Sequence, residues 1–146
     1  EISACLVGSE MCIRDRYCEN ATAVAKFLET SDKIVSVTYP GLETDQYHAL
    51  AQKYLPNGTC GVISFSIKGG RPAAVRFMDA LELASIEVHV ADIRTCVLHP
   101  ASATHRQLTE EQLVAAGIDG GLIRLSVGLE HVDDILADVK QALDRV

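Results

Sequence analysis

The stretch Gly117 to Gly128, GIDGGLIRLSVG, constrains this chain more than any other. Its paired glycines, Gly120 and Gly121, mark a turn. Leu122 to Val127 then alternates as a strand does, with Ile123, Leu125 and Val127 on one face and Leu122, Arg124 and Ser126 on the other. An arginine inside so apolar a strand is costly to bury without a partner. Its planar fork matches a carboxylate through two parallel hydrogen bonds. Arg124 is therefore the first candidate for holding an anionic ligand. The competing reading is a solvated face with the guanidinium in water, the ordinary place for arginine.

The rest of the chain arranges itself around that strand. Asn20 to Glu29 is an amphipathic helix with Ala21, Val24, Ala25 and Leu28 on one stripe. Lys33 to Tyr39 is a strand that Pro40-Gly41 ends. Thr44 to Leu55 predicts a second helix, with Tyr47, Leu50, Ala51 and Tyr54 at helical spacing. Gly61 to Ile67 alternates as a strand on Val62, Phe65 and Ile67, with Ile63 out of register. A helix from Pro72 to about Ala84 uses Val75, Met78, Ala80 and Leu81. Glu87 to Ala91 and Thr95 to Leu98 are short strand candidates, and His99 to Gln107 is a loop. Thr109 to Gln112 is a capping box that opens a short helix, and Gly117 closes it. His131 to Val146 is the closing helix, with Val132, Ile135, Leu136, Val139 and Leu143 on its apolar stripe and acidic residues on the other face.

The order α-β-α-β-α-β-β-α-β-α predicts an α/β sandwich, a mostly antiparallel sheet with helices packed on one side. A doubly wound parallel sheet fits less well, because no glycine-rich nucleotide loop follows the first strand. Residues Glu1 to Arg16 show no clear helical or strand period and resemble translated sequencing-adapter reads. They are set aside as a non-native leader, leaving 17–146 as one domain.

Composition narrows the function. At 146 residues and 48% hydrophobic, the chain is one domain or a piece of a larger protein, able to bury a core. A net charge of -7 without a basic run argues against nucleic acid. No stretch approaches the ~20 apolar residues that span a bilayer. The five cysteines contain no CxxC and read as reduced thiols of a cytoplasmic protein.

Other candidate chemistry has ordinary rivals. Lys68-Gly69-Gly70-Arg71 precedes a helix but lacks P-loop spacing, so it reads as a strand-to-helix turn. His89, His99 and His105 with Asp92 match no standard metal-ligand spacing. Cys96, inside an apolar strand, reads as an inert core thiol, and Cys60 sits in a turn without an activating base. Ser102, Thr104 and His105 precede the Arg124 strand, and hydroxyls converging with a guanidinium would form a carboxylate pocket. By composition alone the segment reads as a surface loop.

YPGLETD, SFSIKGG, LHPASATHRQL and GLIRLSVGLEHVDDILADV, in this order from about Arg16 to the end, resemble the Cys/Met-metabolism family of pyridoxal-phosphate enzymes. THRQL and VADIRTCVLHPAS resemble its O-acetylhomoserine sulfhydrylase branch more than its cystathionine synthases or lyases, and cystathionine γ-synthase and methionine γ-lyase are the nearest rivals within the family. The resemblance implies the small C-terminal domain of a fold-type I enzyme, an amino-acid substrate and a homotetrameric parent. It implies that Arg124 binds the substrate α-carboxylate and that Thr104 lines the substrate site. His89 falls where the family usually has Ser or Asn before Leu-Gly, a segment whose backbone meets the carboxylate; here the triplet is His89-Val90-Ala91. It also implies that pyridoxal phosphate is held by a lysine of a missing N-terminal domain. Lys26, Lys33, Lys53, Lys68 and Lys140 lack the Ser-x-Thr-Lys context of that lysine. The expectation is a substrate-binding fragment without its own catalytic residue, inactive alone.

Overall fold

The computed structural model describes residues 2–146, with side chains from Cys12 onward except that of Glu110. Five strands, β1 (Ile34–Thr38), β2 (Val62–Ile67), β3 (Ser85–Ile86), β4 (Cys96–Leu98) and β5 (Leu122–Ser126), form one sheet in the order β1-β2-β5-β4-β3. Every pairing is antiparallel except β3 with β4 at one edge. The helices are α1 (Ile2–Thr30), α2 (His48–Tyr54), α3 (Gly70–Ala80), α4 (Glu110–Ala115) and α5 (Val132–Leu143). The expected α/β sandwich is what forms.

The core lies between one face of the sheet and α1, α3 and α5. Ile123, Leu125 and Val127 are fully buried there, as their alternation demands. Register fixes β2: Ile63 pairs with Leu125 and Phe65 with Ile123, so Ile63, Phe65 and Ile67 share the core face. This corrects the sequence reading, in which Val62 belonged to that face and Ile63 broke it. Two adjacent aliphatics leave the register ambiguous until a partner strand selects one. Phe65 meets Phe77 of α3 edge to face, with centroids 5.8 Å apart.

Four further expectations are corrected. The segment set aside as irregular is helical from Ile2, continuous with the predicted Asn20–Glu29 helix. No proline interrupts it. The second helix is confined to His48–Tyr54 because residues 40–47 form successive turns, in which Asp45 accepts from the backbone N–H groups of Tyr39 and Tyr47, each at 2.8 Å. Of its predicted stripe only Ala51 is buried; Tyr47, Leu50 and Tyr54 are exposed. The third helix ends at Ala80 and buries Ala73, Ala74, Phe77 and Met78, leaving Val75 on the surface. The strand expected at Glu87 to Ala91 forms instead at Ser85–Ile86, and residues 87–94 become a loop.

The capping box of α4 forms as read, with Thr109 and Gln112 exchanging side-chain and backbone bonds. One acidic residue of α5 does not face water. Asp138 is buried and accepts from the N–H groups of Glu82, Leu83 and Ala84 at 2.8, 3.0 and 2.9 Å. It holds the chain where it leaves α3 for the sheet edge. Asp138→Ala leaves those donors without their acceptor and is expected to lower stability by about 3 kcal/mol. Urea unfolding of the variant checks this.

Candidate functional site

The sheet face away from the three helices carries Arg124 on its central strand. Arg124 pairs with Ser64 of β2 on one side and Leu98 of β4 on the other. Residues 87–94 arch over this face. The Arg124 Nη2 group donates to the carbonyl oxygen of Val88 at 2.7 Å and lies 3.4 Å from that of His89. Its Nε–H is buried and has no acceptor among the described residues. A buried donor without a partner is costly, of order 1–3 kcal/mol, which favours an anion at this guanidinium.

The loop is tied down at several points. The Ala91 N–H donates to Ser126 Oγ at 3.1 Å, the Tyr17 hydroxyl to the Asp92 carbonyl at 3.0 Å, and the Leu129 N–H to the Ile93 carbonyl at 2.9 Å. The turn into β5 is fixed as tightly. Asp119 accepts from the Ser66 hydroxyl at 2.8 Å and from the Gly121 N–H at 2.7 Å. A Cβ on Gly121 would lie 2.4 Å from the Ile67 carbonyl oxygen, so the close approach there requires glycine.

The other sequence candidates are placed differently. His89 gives Arg124 its backbone carbonyl while its exposed ring turns away, with Nδ1 2.9 Å from Glu87 Oε2 and 3.7 Å from Asp92 Oδ2. Arg94 joins the same surface network, 3.0 Å from Glu87 and 3.6 Å from Asp92. The Arg94 backbone N–H, ahead of the Arg94 charge, holds the Asp92 carboxyl below its ordinary range. Thr104 is exposed, and its hydroxyl lies 2.9 Å from His105 Nδ1; it makes no hydrogen bond to Arg124. Ser102 bonds His99 instead.

His99 is 3% exposed, with Nε2 2.9 Å from the Gly120 carbonyl and Nδ1 2.9 Å from the Ser102 hydroxyl. A carbonyl only accepts, so Nε2 carries the proton and Nδ1 accepts from Ser102. The three histidines therefore do not converge on one point. Glu87, Asp92 and Cys96 do place donor atoms within 4.8 Å of one another, with Arg94 paired to both carboxylates. Burial pushes the Cys96 thiol above its ordinary 9.0, as an unreactive core thiol requires.

The lysines are engaged away from Arg124. Lys33 donates to the carbonyls of Leu143 and Val146 at 2.9 and 2.7 Å, Lys140 pairs with Asp144 at 2.9 Å, and Lys68 donates to the Asp32 carbonyl. Lys53 lies over the Tyr54 ring, and Lys26 borders a surface cleft with Glu19 and Gln52.

The model of the family described as Cys/Met metabolism PLP-dependent enzyme matches residues 12–144. This chain belongs to that family. It is 48% identical over 130 residues to homocysteine synthase of Schizosaccharomyces pombe, covering 89% of this chain and 30% of that protein. It is 46% identical over 132 residues to L-methionine gamma-lyase of Fusobacterium nucleatum subsp. polymorphum, covering 90% of this chain and 33% of that protein. Among solved structures, an O-acetylhomoserine (thiol)-lyase from Campylobacter jejuni superposes with a TM-score of 0.83 at 41% identity, covering 91% of this chain and 32% of the other. The chain thus spans about a third of the length of its relatives.

Family members depend on pyridoxal phosphate, and the Campylobacter enzyme carries it as a pyridoxyl-lysine outside the part this chain matches. Among the described residues, none of the lysine contacts given above is to Arg124 or to the loop over it.

Sequence reasoning found Arg124 but gave Ser126 no role. The available signal was its place two residues on, on the same face of the same strand. Ala91 is the other residue it did not weigh fully. With φ at 58° it occupies the left-handed region, where a side chain costs about 1–2 kcal/mol. Ala91→Gly relieves that strain against a smaller loss of chain entropy, for a net gain of about 0.5–1 kcal/mol. A rise in urea midpoint with unchanged slope checks it.

Proposed function

We propose that this chain is the carboxylate-holding C-terminal domain of a pyridoxal-phosphate-dependent transferase acting on O-acetylhomoserine. The parent would replace the acetyl ester with sulfide or a thiol, releasing acetate and forming homocysteine or its thioether. The buried Nε–H of Arg124, without an acceptor among the described residues, carries this reading. Its half-buried guanidinium is held by backbone carbonyls, which orient it without neutralising its charge. A substrate α-carboxylate would meet a preset cation there, with Thr104 lining the site from the loop after β4.

When bound by the rest of the parent, pyridoxal phosphate supplies the electron sink that such a replacement needs. This chain's residues would bind the carboxylate, fix the substrate's orientation and help exclude water. The similarity to homocysteine synthase and to O-acetyl-L-homoserine sulfhydrylase of Leptospira meyeri, 46% identical over 133 residues, supports this member of the family. The equal identity to a methionine gamma-lyase keeps elimination from methionine as the second reading. A homotetrameric, cytoplasmic parent completes the proposal. No helix among the described residues is long and apolar enough to cross a membrane.

The test is steady-state kinetics of the full-length parent with O-acetylhomoserine, O-succinylhomoserine and methionine. O-acetylhomoserine is expected to give the highest kcat/KM; preference for either other substrate overturns the transferase assignment. Arg124→Ala should lower kcat/KM by about a hundredfold, the scale of a lost charged bidentate contact. An Arg124→Ala enzyme with unchanged kinetics contradicts the carboxylate role.

A further inference from the structure

We infer that Ser126 is the positioning residue of the Arg124 clamp, acting through Ala91. This inference rests on the carboxylate-binding reading of Arg124. A guanidinium on a long side chain is useful only if its direction is fixed, and Arg124 is directed by the carbonyls of Val88 and His89. Those carbonyls are in turn only as fixed as the loop that bears them.

Side-chain burial does little to hold the loop. Val88, Val90 and Ile93 are 58%, 53% and 69% exposed, so its apolar side chains are not anchored in the core. Beneath it, Val90, Ala91 and Ser126 line one cavity of about 290 Å³ with Cys60 and Val62, so packing from below is incomplete. At this point the backbone is also strained, with Ala91 at φ 58°. The hydrogen bond that stands against this strain is Ala91 N–H to Ser126 Oγ, 3.1 Å. Ser126 is 1% exposed, so its hydroxyl is shielded from bulk solvent.

The arrangement gives β5 a double grip. Arg124 takes the carbonyls at 88 and 89, and Ser126, two residues further on the same face, takes the amide at 91. Removing the hydroxyl frees Ala91 to leave the left-handed region, and the carbonyls that aim Arg124 move with it. Glycine at 91 can adopt the same conformation without strain, because it carries no Cβ.

The experiment uses the full-length parent holoenzyme with O-acetylhomoserine. Ser126→Ala is expected to raise KM about tenfold with kcat within twofold, the scale of one well-placed hydrogen bond. Ser126→Thr, which keeps the hydroxyl, and the double variant Ser126→Ala with Ala91→Gly should each return KM to within about threefold of the parent. That rescue separates positioning from general destabilisation, which a glycine in the loop would not repair. Unchanged KM in Ser126→Ala, or a raised KM that Ala91→Gly leaves in place, overturns the inference. If Ser126→Ala fails to fold, the Ser126→Ala/Ala91→Gly variant decides: near-parental KM supports the inference, and a tenfold rise or failure to fold overturns it. Arg124→Ala alongside keeps the two claims apart. Loss of substrate binding in Arg124→Ala with no effect of Ser126→Ala rejects the positioning role alone. No effect of Arg124→Ala rejects the clamp and this inference with it.

Discussion

The structure depends on β5 being two-sided. One side, Ile123, Leu125 and Val127, is sealed under three helices, and the sheet cannot form without that burial. Burying one face fixes the register of the strand, because a slip of one residue would place Arg124 in the core. The guanidinium is thereby set at the centre of the opposite face, between β2 and β4, with no freedom to trade places with its aliphatic neighbours. The hydrophobic effect thus positions the polar chemistry.

Around that strand the polar bonds form a second framework. Asp119 and Gly121 fix the turn before β5, and His99 ties the segment after β4 to the same turn. After β5, the Asn20 amide donates to the carbonyls of Gly128 and Glu130, both at 3.0 Å, while Glu130 accepts from the backbone and hydroxyl of Thr95. These bonds join α1, β4 and the exit of β5, and Tyr17 extends them to the loop over Arg124. The loop is joined to the core through its hydrogen bonds with Tyr17, Ser126 and Leu129.

What was legible in the sequence follows from how local each signal is. The faces of β5 and the stripe of α5 stand out because a single period runs the length of the element. The capping box of α4 is equally local. The faces of β2 were misread because Val62 and Ile63 are both apolar and only pairing with Leu125 and Ser126 separates them. The helix at Thr44 was overextended because Asp45 diverts the backbone into turns. Arg124 was visible as a charge inside an apolar run. Its neighbours in space were not: Ala91 is 35 residues from Ser126, and Asp138 is 54 to 56 residues from the amides it holds. No short window of sequence pairs them. The family's dependence on pyridoxal phosphate was legible only through the resemblance of several motifs in order.

The central claim is that folding leaves Arg124 with an oriented, unsatisfied donor for a carboxylate. The most direct measurement is the side-chain ¹⁵N–¹H resonance of Arg124 in the 146-residue chain during titration with O-acetyl-L-homoserine. A saturable downfield shift of the Nε–H signal is expected, accompanied by the Ala91 amide and absent with the corresponding amine that lacks the carboxylate. An Nε–H signal that does not move, or that moves equally with the decarboxylated amine, would contradict it.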